Sequence, residues 1–137
     1  MFSTFAFRES KDVGRYSVAK ILVIDDEENL RRVVRSILEE DGYEVLEAAN
    51  GLSGLEMYRQ HKADLIITDL AMPVMNGLDF ISEVTRTFSN VRIIAMTGVP
   101  EWDSRLTEAK LLGARETLHK PFALETLLNV VRFELTH

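Results

Sequence analysis

The chain contains no cysteine, only three prolines and a single tryptophan among 137 residues. Without cysteine there are no disulfides, no thiolate nucleophile and no zinc–thiolate site, which fits a reducing compartment. No apolar stretch approaches the roughly 18 residues needed to cross a bilayer. The opening MFSTFAFRESKDVGRYS lacks the continuous apolar segment of a secretory signal. A cytoplasmic protein without a membrane partner is the expectation. Positive charge is also in short supply, since 16 Lys and Arg stand against 22 Asp and Glu for a formal net charge of −6. That balance argues against direct nucleic-acid binding through a broad basic surface, because neutralising phosphates takes clustered Lys and Arg.

With 46% hydrophobic residues, the chain is long enough for one domain with a real core and too short for two comfortable ones. Short apolar runs alternate with longer stretches of helical period. The runs are Ile21–Ile24, Leu65–Ile67, Val91–Met96 and the weaker Thr117–His119, with Tyr43–Ala48 as a less regular strand. Leu30, Val33, Val34, Ile37 and Leu38 mark the first helix, with Arg31, Arg32 and Arg35 off its apolar stripe. Further helices are expected around Leu55 and Tyr58, along Leu78, Ile81, Val84 and Phe88, along Trp102, Leu106 and Ala109 after Pro100, and along Leu124, Leu127, Leu128, Val131 and Leu135. This alternation predicts an α/β fold with a parallel sheet buried on both faces. Residues 1–19 show no sustained period and are expected to form a mobile N-terminal tail, although their alternating phenylalanines could dock on a partner.

In a parallel sheet all strands point one way, and ligands bind outside their carboxyl ends. Four of the runs end in chemically useful residues: Asp25 and Asp26, Asp69, Thr97 and Lys120. The strand at Tyr43–Ala48 ends in none. Singly, each has an ordinary explanation. Asp25 or Asp26 could cap the next helix, Thr97 before Gly98 could be a turn residue, and Lys120 could be solvated. Asp69 fits capping less well, because Leu-Ala-Met-Pro cannot begin a helix. All these explanations would have to hold together at one edge of one sheet, and a site accounts for them better. Three carboxylates repel one another unless a cation compensates, and hard oxygen ligands suit Mg²⁺. The implied chemistry is attack of a carboxylate on phosphorus to give an acyl phosphate, with a lysine and a hydroxyl on the phosphoryl oxygens.

The motifs Ile-Leu-Val-Ile-Asp-Asp-Glu, Leu-Ile-Ile-Thr-Asp-Leu-Ala-Met-Pro-Val-Met-Asn-Gly, Ile-Ile-Ala-Met-Thr-Gly and His-Lys-Pro-Phe occur in that order between Lys20 and His137. Together they resemble the receiver domain of two-component response regulators. The resemblance implies a flavodoxin-like (βα)5 doubly wound sheet of order 2-1-3-4-5 over residues 20–137. It implies Asp69 as phosphoryl acceptor from a phosphohistidine donor, a histidine kinase or phosphotransfer protein. Asp25, Asp26, Asp69 and the backbone carbonyl of Ala71 would hold Mg²⁺. Thr97 and Lys120 would contact the phosphoryl group, with Lys120–Pro121 as a cis peptide. Such a protein is a signalling switch rather than an enzyme: it catalyses its own phosphorylation and slow dephosphorylation, and it docks on a downstream protein through the last two helices and last strand. Because the chain ends with the final amphipathic helix, a stand-alone regulator or a receiver from a longer protein is expected.

Three positions depart from the family's pattern. Thr117 stands where receivers commonly carry Tyr or Phe, so Thr97 is expected to move without an aromatic partner, the alternative being that His119 or another side chain takes part. Ala71 and Val99 flank the phosphoryl position and cannot orient a water, which predicts a long-lived phosphoryl form. A receiver-like module that binds partners without phosphorylation, or a metal-dependent hydrolase on the same sheet, are the competing functions; the intact acids, Thr and Lys oppose the first, and the lack of a general acid or base opposes the second.

Overall fold

The computed structural model describes residues 7–9 and 16–137. Two short strands, β1 (Phe7–Glu9) and β2 (Tyr16–Val18), pair antiparallel. Their sequence carries no period that announces a hairpin. Only Ala19 separates β2 from β3 (Lys20–Ile24). From there β-α units alternate: α1 (Glu28–Glu40), β4 (Glu44–Ala48), α2 (Gly51–His61), β5 (Leu65–Asp69), α3 (Gly77–Thr87), β6 (Ile93–Thr97), α4 (Arg105–Leu112), β7 (Glu116–His119) and α5 (Leu124–Thr136). Strands β3 to β7 pair in parallel in the order β4-β3-β5-β6-β7, which is 2-1-3-4-5 counted from the first strand of the sheet.

The near-continuous apolar strands are explained by burial on both faces. Every residue of β5 and β6 is buried. On one face Leu22, Ile24, Ile66, Ile93 and Ala95 pack with Phe80, Ile81 and Val84 of α3 and Leu106 and Ala109 of α4. On the other, Ile21, Val23, Leu65, Ile67, Ile94 and Met96 pack with Val34 and Leu38 of α1 and Leu127 and Val131 of α5. Strand side chains alternate between faces, so odd and even positions feed two cores. Removing a fully buried aromatic such as Phe80 would cost about 3–5 kcal/mol.

Two helical details differ from the periodicity. The stripe of Trp102, Leu106 and Ala109 suggests one helix from Pro100, but Pro100–Trp102 is a separate 3₁₀ turn and α4 begins at Arg105. Trp102 N–H donates to the Val99 carbonyl at 2.8 Å, so the chain takes tighter turns before the α ladder starts. In α1 only Val34 and Leu38 are buried, whereas Val33 is 54% exposed. Among the described residues no helix is long and apolar enough to cross a membrane.

Candidate functional site

The carboxyl ends of β3, β5, β6 and β7 lie along one edge of the sheet, and they bring together residues 25, 26, 69, 97 and 120. A cleft of about 420 Å³ opens there, lined by Asp25, Asp26, Glu27, Asp69, Ala71, Gly98, Val99 and Lys120. One carboxylate oxygen from each of Asp25, Asp26 and Asp69 lies within 4.8 Å of the others. Thr97 is not among the lining residues. It is fully buried, and its hydroxyl oxygen accepts from the Val99 N–H at 3.3 Å.

Asp25 continues the sheet by one rung, donating its N–H to the Ala48 carbonyl at 3.1 Å. Its Oδ1 accepts from the Glu27 N–H at 3.0 Å, immediately before α1, so the capping expectation is met by a bond to the helix's N-cap residue and not to the helix itself. Its Oδ2 accepts from Lys120 Nζ at 2.7 Å. Lys120 therefore crosses the cleft instead of pointing to solvent. The Lys120–Pro121 bond is cis.

Asp69 is also buried, though slightly less than Asp25. Its Oδ1 is buried without a hydrogen bond, and Lys120 Nζ stands 3.5 Å away, an ion-pair distance too long for a strong hydrogen bond. Burial, with the nearby Asp25 charge adding to it, pushes the Asp69 carboxyl up to about 6, against the opposing pull of Lys120. For Lys120 burial pulls downward, but the Asp25 hydrogen bond and the charges of Asp69 and Asp25 outweigh it and hold the ammonium above its ordinary value. Three carboxylates facing one ammonium leave a negative excess. The all-oxygen donor set and the orphaned Asp69 oxygen suit a hard divalent cation that keeps several waters.

The loop after β5 is shaped to leave this space open. Gly77 begins α3 directly against the end of β5, where a Cβ would lie 2.2 Å from the Asp69 carbonyl oxygen. Its N–H donates to the Leu70 carbonyl. Asn76 caps the helix through its side chain, which accepts from Asp79 N–H. Two residues before Asn76, Val74 adopts φ 70°, an unusual conformation for a β-branched residue.

Comparison with known proteins decides the family. Residues 21–132 match the model of the response regulator receiver domain. The chain belongs to the receiver domains of two-component response regulators. It is 32% identical over 113 residues to sporulation initiation phosphotransferase F of Bacillus subtilis, covering 82% of this chain and 90% of that one. Chemotaxis protein CheY of Thermotoga maritima is 35% identical over 104 residues, 75% of this chain and 86% of the relative. Among solved structures, the chemotaxis response regulator CheY4 of Vibrio cholerae superposes with a TM-score of 0.78 at 34% identity, over 86% of this chain and 99% of its own. The response regulator TrrA of Thermotoga maritima, solved in complex with Mg²⁺–BeF, gives 0.77 at 32% identity over 85% and 99%. Receiver domains are phosphoryl acceptors that act as signalling switches, and this receiver brings its three acids and its lysine into one cleft.

Two residues at this edge escape helical and strand periodicity. Arg31 lies off the apolar stripe of α1, which suggests a solvated side chain, yet only 14% of it is exposed. β4 ends without an obvious chemical residue, yet Glu47, one before its end, takes Arg31 Nε at 2.8 Å and Arg35 Nη1 at 2.6 Å. A signal was present in the charge complementarity of α1 and β4, but pairing the two requires knowing that they are neighbours.

Proposed function

We propose that this receiver, with its working unit over residues 20–137, accepts a phosphoryl group on Asp69. The single observation that carries the reading is the buried, unpartnered Asp69 oxygen facing Lys120 and two further carboxylates. A carboxylate oxygen of Asp69 attacks phosphorus in line. The new O–P bond forms as the P–N bond of the donor phosphohistidine breaks, and the electron pair returns to the imidazole. Lys120, held on Asp25 at 2.7 Å, is placed to follow the charge from Asp25 and Asp69 onto the phosphoryl oxygens. Asp25, Asp26, Asp69 and the Ala71 carbonyl would hold Mg²⁺, which when bound neutralises phosphoryl oxygens. Thr97 would turn its hydroxyl from Val99 N–H to the phosphoryl group, and so couple occupancy of the cleft to the loop that leads into Trp102 and α4.

A donor protein approaches the mouth of the cleft. Beside it, Leu30, Val33, Val34 and Ile37 of α1 with Pro121, Phe122 and Leu124 form an apolar groove that shares Lys120 with the acid cleft. That groove fits the helix of a histidine kinase or phosphotransfer protein that carries the phosphohistidine. The downstream protein docks on α4, β7 and α5, and the setting is the cytoplasm. Reading the chain as a constitutive, unphosphorylated module rests on Thr117 alone, against the intact acids and lysine. The test is binding of beryllofluoride, a phosphoryl mimic, followed by fluorine NMR. Wild type with Mg²⁺ gives a bound signal, and Asp69→Asn gives none. A bound signal in Asp69→Asn, or none in wild type, overturns the assignment.

A further inference from the structure

We infer that Arg31, held in place by Glu47, is a positioning residue for the metal-binding acids: it fixes the Asp25–Asp26 peptide and thereby aims the Asp26 carboxylate at Asp69. The inference rests on the reading of the cleft as a Mg²⁺ site.

The geometry is a closed set of bonds between the end of β3 and β4. Asp25 N–H donates to the Ala48 carbonyl at 3.1 Å. Arg31 Nη1 donates to the Asp25 carbonyl at 2.6 Å, and Arg31 Nε donates to Glu47 Oε1 at 2.8 Å. Glu47 immediately precedes Ala48. Both backbone groups of Asp25 are thus tied to β4, the N–H directly and the carbonyl through one guanidinium.

That carbonyl belongs to the peptide joining Asp25 to Asp26. Turning it turns the direction in which Asp26 leaves the strand. Asp26 has no other guide: it is exposed, and among the described residues its carboxylate has no hydrogen-bond partner. Asp25, by contrast, is gripped through both carboxylate oxygens. Of the acids, Asp26 is therefore the one whose placement depends on its backbone.

Arginine suits this role because its rigid fork reaches two acceptors at once, which a lysine ammonium at the end of a flexible stem does not do with the same geometry. Groups that orient metal ligands without touching the metal commonly contribute 10–100-fold to metal affinity. Arg35 provides an internal control. It also pairs with Glu47, at 2.6 Å, but its other partner is Glu39 and it makes no bond to Asp25.

Charge alone predicts the opposite sign. A guanidinium beside a cation site repels the cation, so replacing it with a neutral side chain should tighten binding by Coulomb's law. Positioning predicts weakening. The experiment is calorimetric titration of the whole chain with MgCl₂ and no phosphoryl donor, alongside the melting temperature in chelator. Arg31→Gln is expected to weaken Mg²⁺ roughly tenfold, and Glu47→Gln to weaken it in the same direction. The double variant should bind no more weakly than Arg31→Gln alone, because the two act through one bond set. Arg35→Gln should stay within about twofold of wild type. Arg31→Lys keeps the charge and covers the case in which Arg31→Gln does not fold; it too should bind Mg²⁺ more weakly. Unchanged or tighter binding in a folded Arg31 variant overturns the positioning role and leaves the cleft's assignment standing. A wild-type protein that takes up no Mg²⁺ overturns both.

Discussion

The Asp69 side chain is 6% exposed, carries one oxygen without a hydrogen bond, and titrates at about 6 because burial disfavours its charge. A folded-state value above the ordinary 3.8 means that the native chain binds a proton more tightly than the unfolded one. The ionised carboxylate therefore destabilises the metal-free fold fully above pH 6, and this penalty fades as the pH falls toward 4. Asp69→Asn removes the charge while keeping the shape. In chelator at pH 7.5 it should melt a few degrees above wild type, and the gap should close between pH 6 and 4. A gap that widens on acidification would contradict the assigned environment. Ala71 and Val99 also line the cleft without offering a hydrogen bond to water, so Ala71→Asn should speed decay of the phosphorylated protein several-fold, measured by loss of the phosphorylated mass. Much of this chemistry is legible in the sequence, since acids, threonine and lysine end apolar runs. What is not legible is orientation. Thr97 ends its strand as expected, but its hydroxyl accepts from Val99 N–H and does not line the cleft. Arg31 and Glu47 pair across elements 16 positions apart, a distance over which local pattern is silent.

At the scale of elements, the loop from Met72 to Asn76 and the exposed side of α1 carry testable consequences. Val74 is 78% exposed at φ 70°, so its side chain gains little from burial while its backbone is held where a β-branched residue is strained. Asparagine tolerates that region. Val74→Asn should stabilise the fold by about 1 kcal/mol in denaturant unfolding, and a loss of stability would show that the loop uses the valine. On α1, Val33 belongs to the apolar stripe and yet faces the groove that shares Lys120 with the cleft. Val33→Glu should slow transfer from a phosphohistidine protein at least several-fold while leaving modification by a small acyl phosphate unchanged. Equal loss with both donors would place the defect in the cleft instead. Periodicity identifies α1 well but cannot tell a residue that packs inward from one that waits for a partner, because both look apolar. The start of α4 is misplaced for a related reason. Pro100 and Trp102 satisfy a helical stripe, but their backbone closes a 3₁₀ turn first.

For the whole molecule, a five-stranded parallel sheet with a core on each face lets one edge gather residues from strands distant in sequence. That architecture follows from two-sided burial of short Ile- and Val-rich strands and is legible without a structure, whereas the β1–β2 pairing is not, because three-residue strands show no period. In the proposed switch, the relay from cleft to surface would run through the segment between Thr97 and α4. Lys120 N–H donates to the Thr97 carbonyl at 2.9 Å, and His119 Nδ1 lies 3.4 Å from Asp103 Oδ1 just beyond Trp102, so His119 contacts the segment that the proposed switch would move. Trp102 is partly buried against the α3–α4 side of the core and is the only tryptophan in the chain. Its fluorescence should change when Asp69 is phosphorylated, despite Thr117 in place of the family's aromatic. Modified Asp69 with unchanged emission would count against movement there. Phosphorylation of Asp69 is read most simply from the intact mass of the protein after incubation with a small acyl phosphate and Mg²⁺. Wild type should gain one phosphoryl group, lost on adding chelator before the donor, and Asp69→Asn should gain none. Equal phosphorylation of wild type and Asp69→Asn would rule out Asp69 as the acceptor.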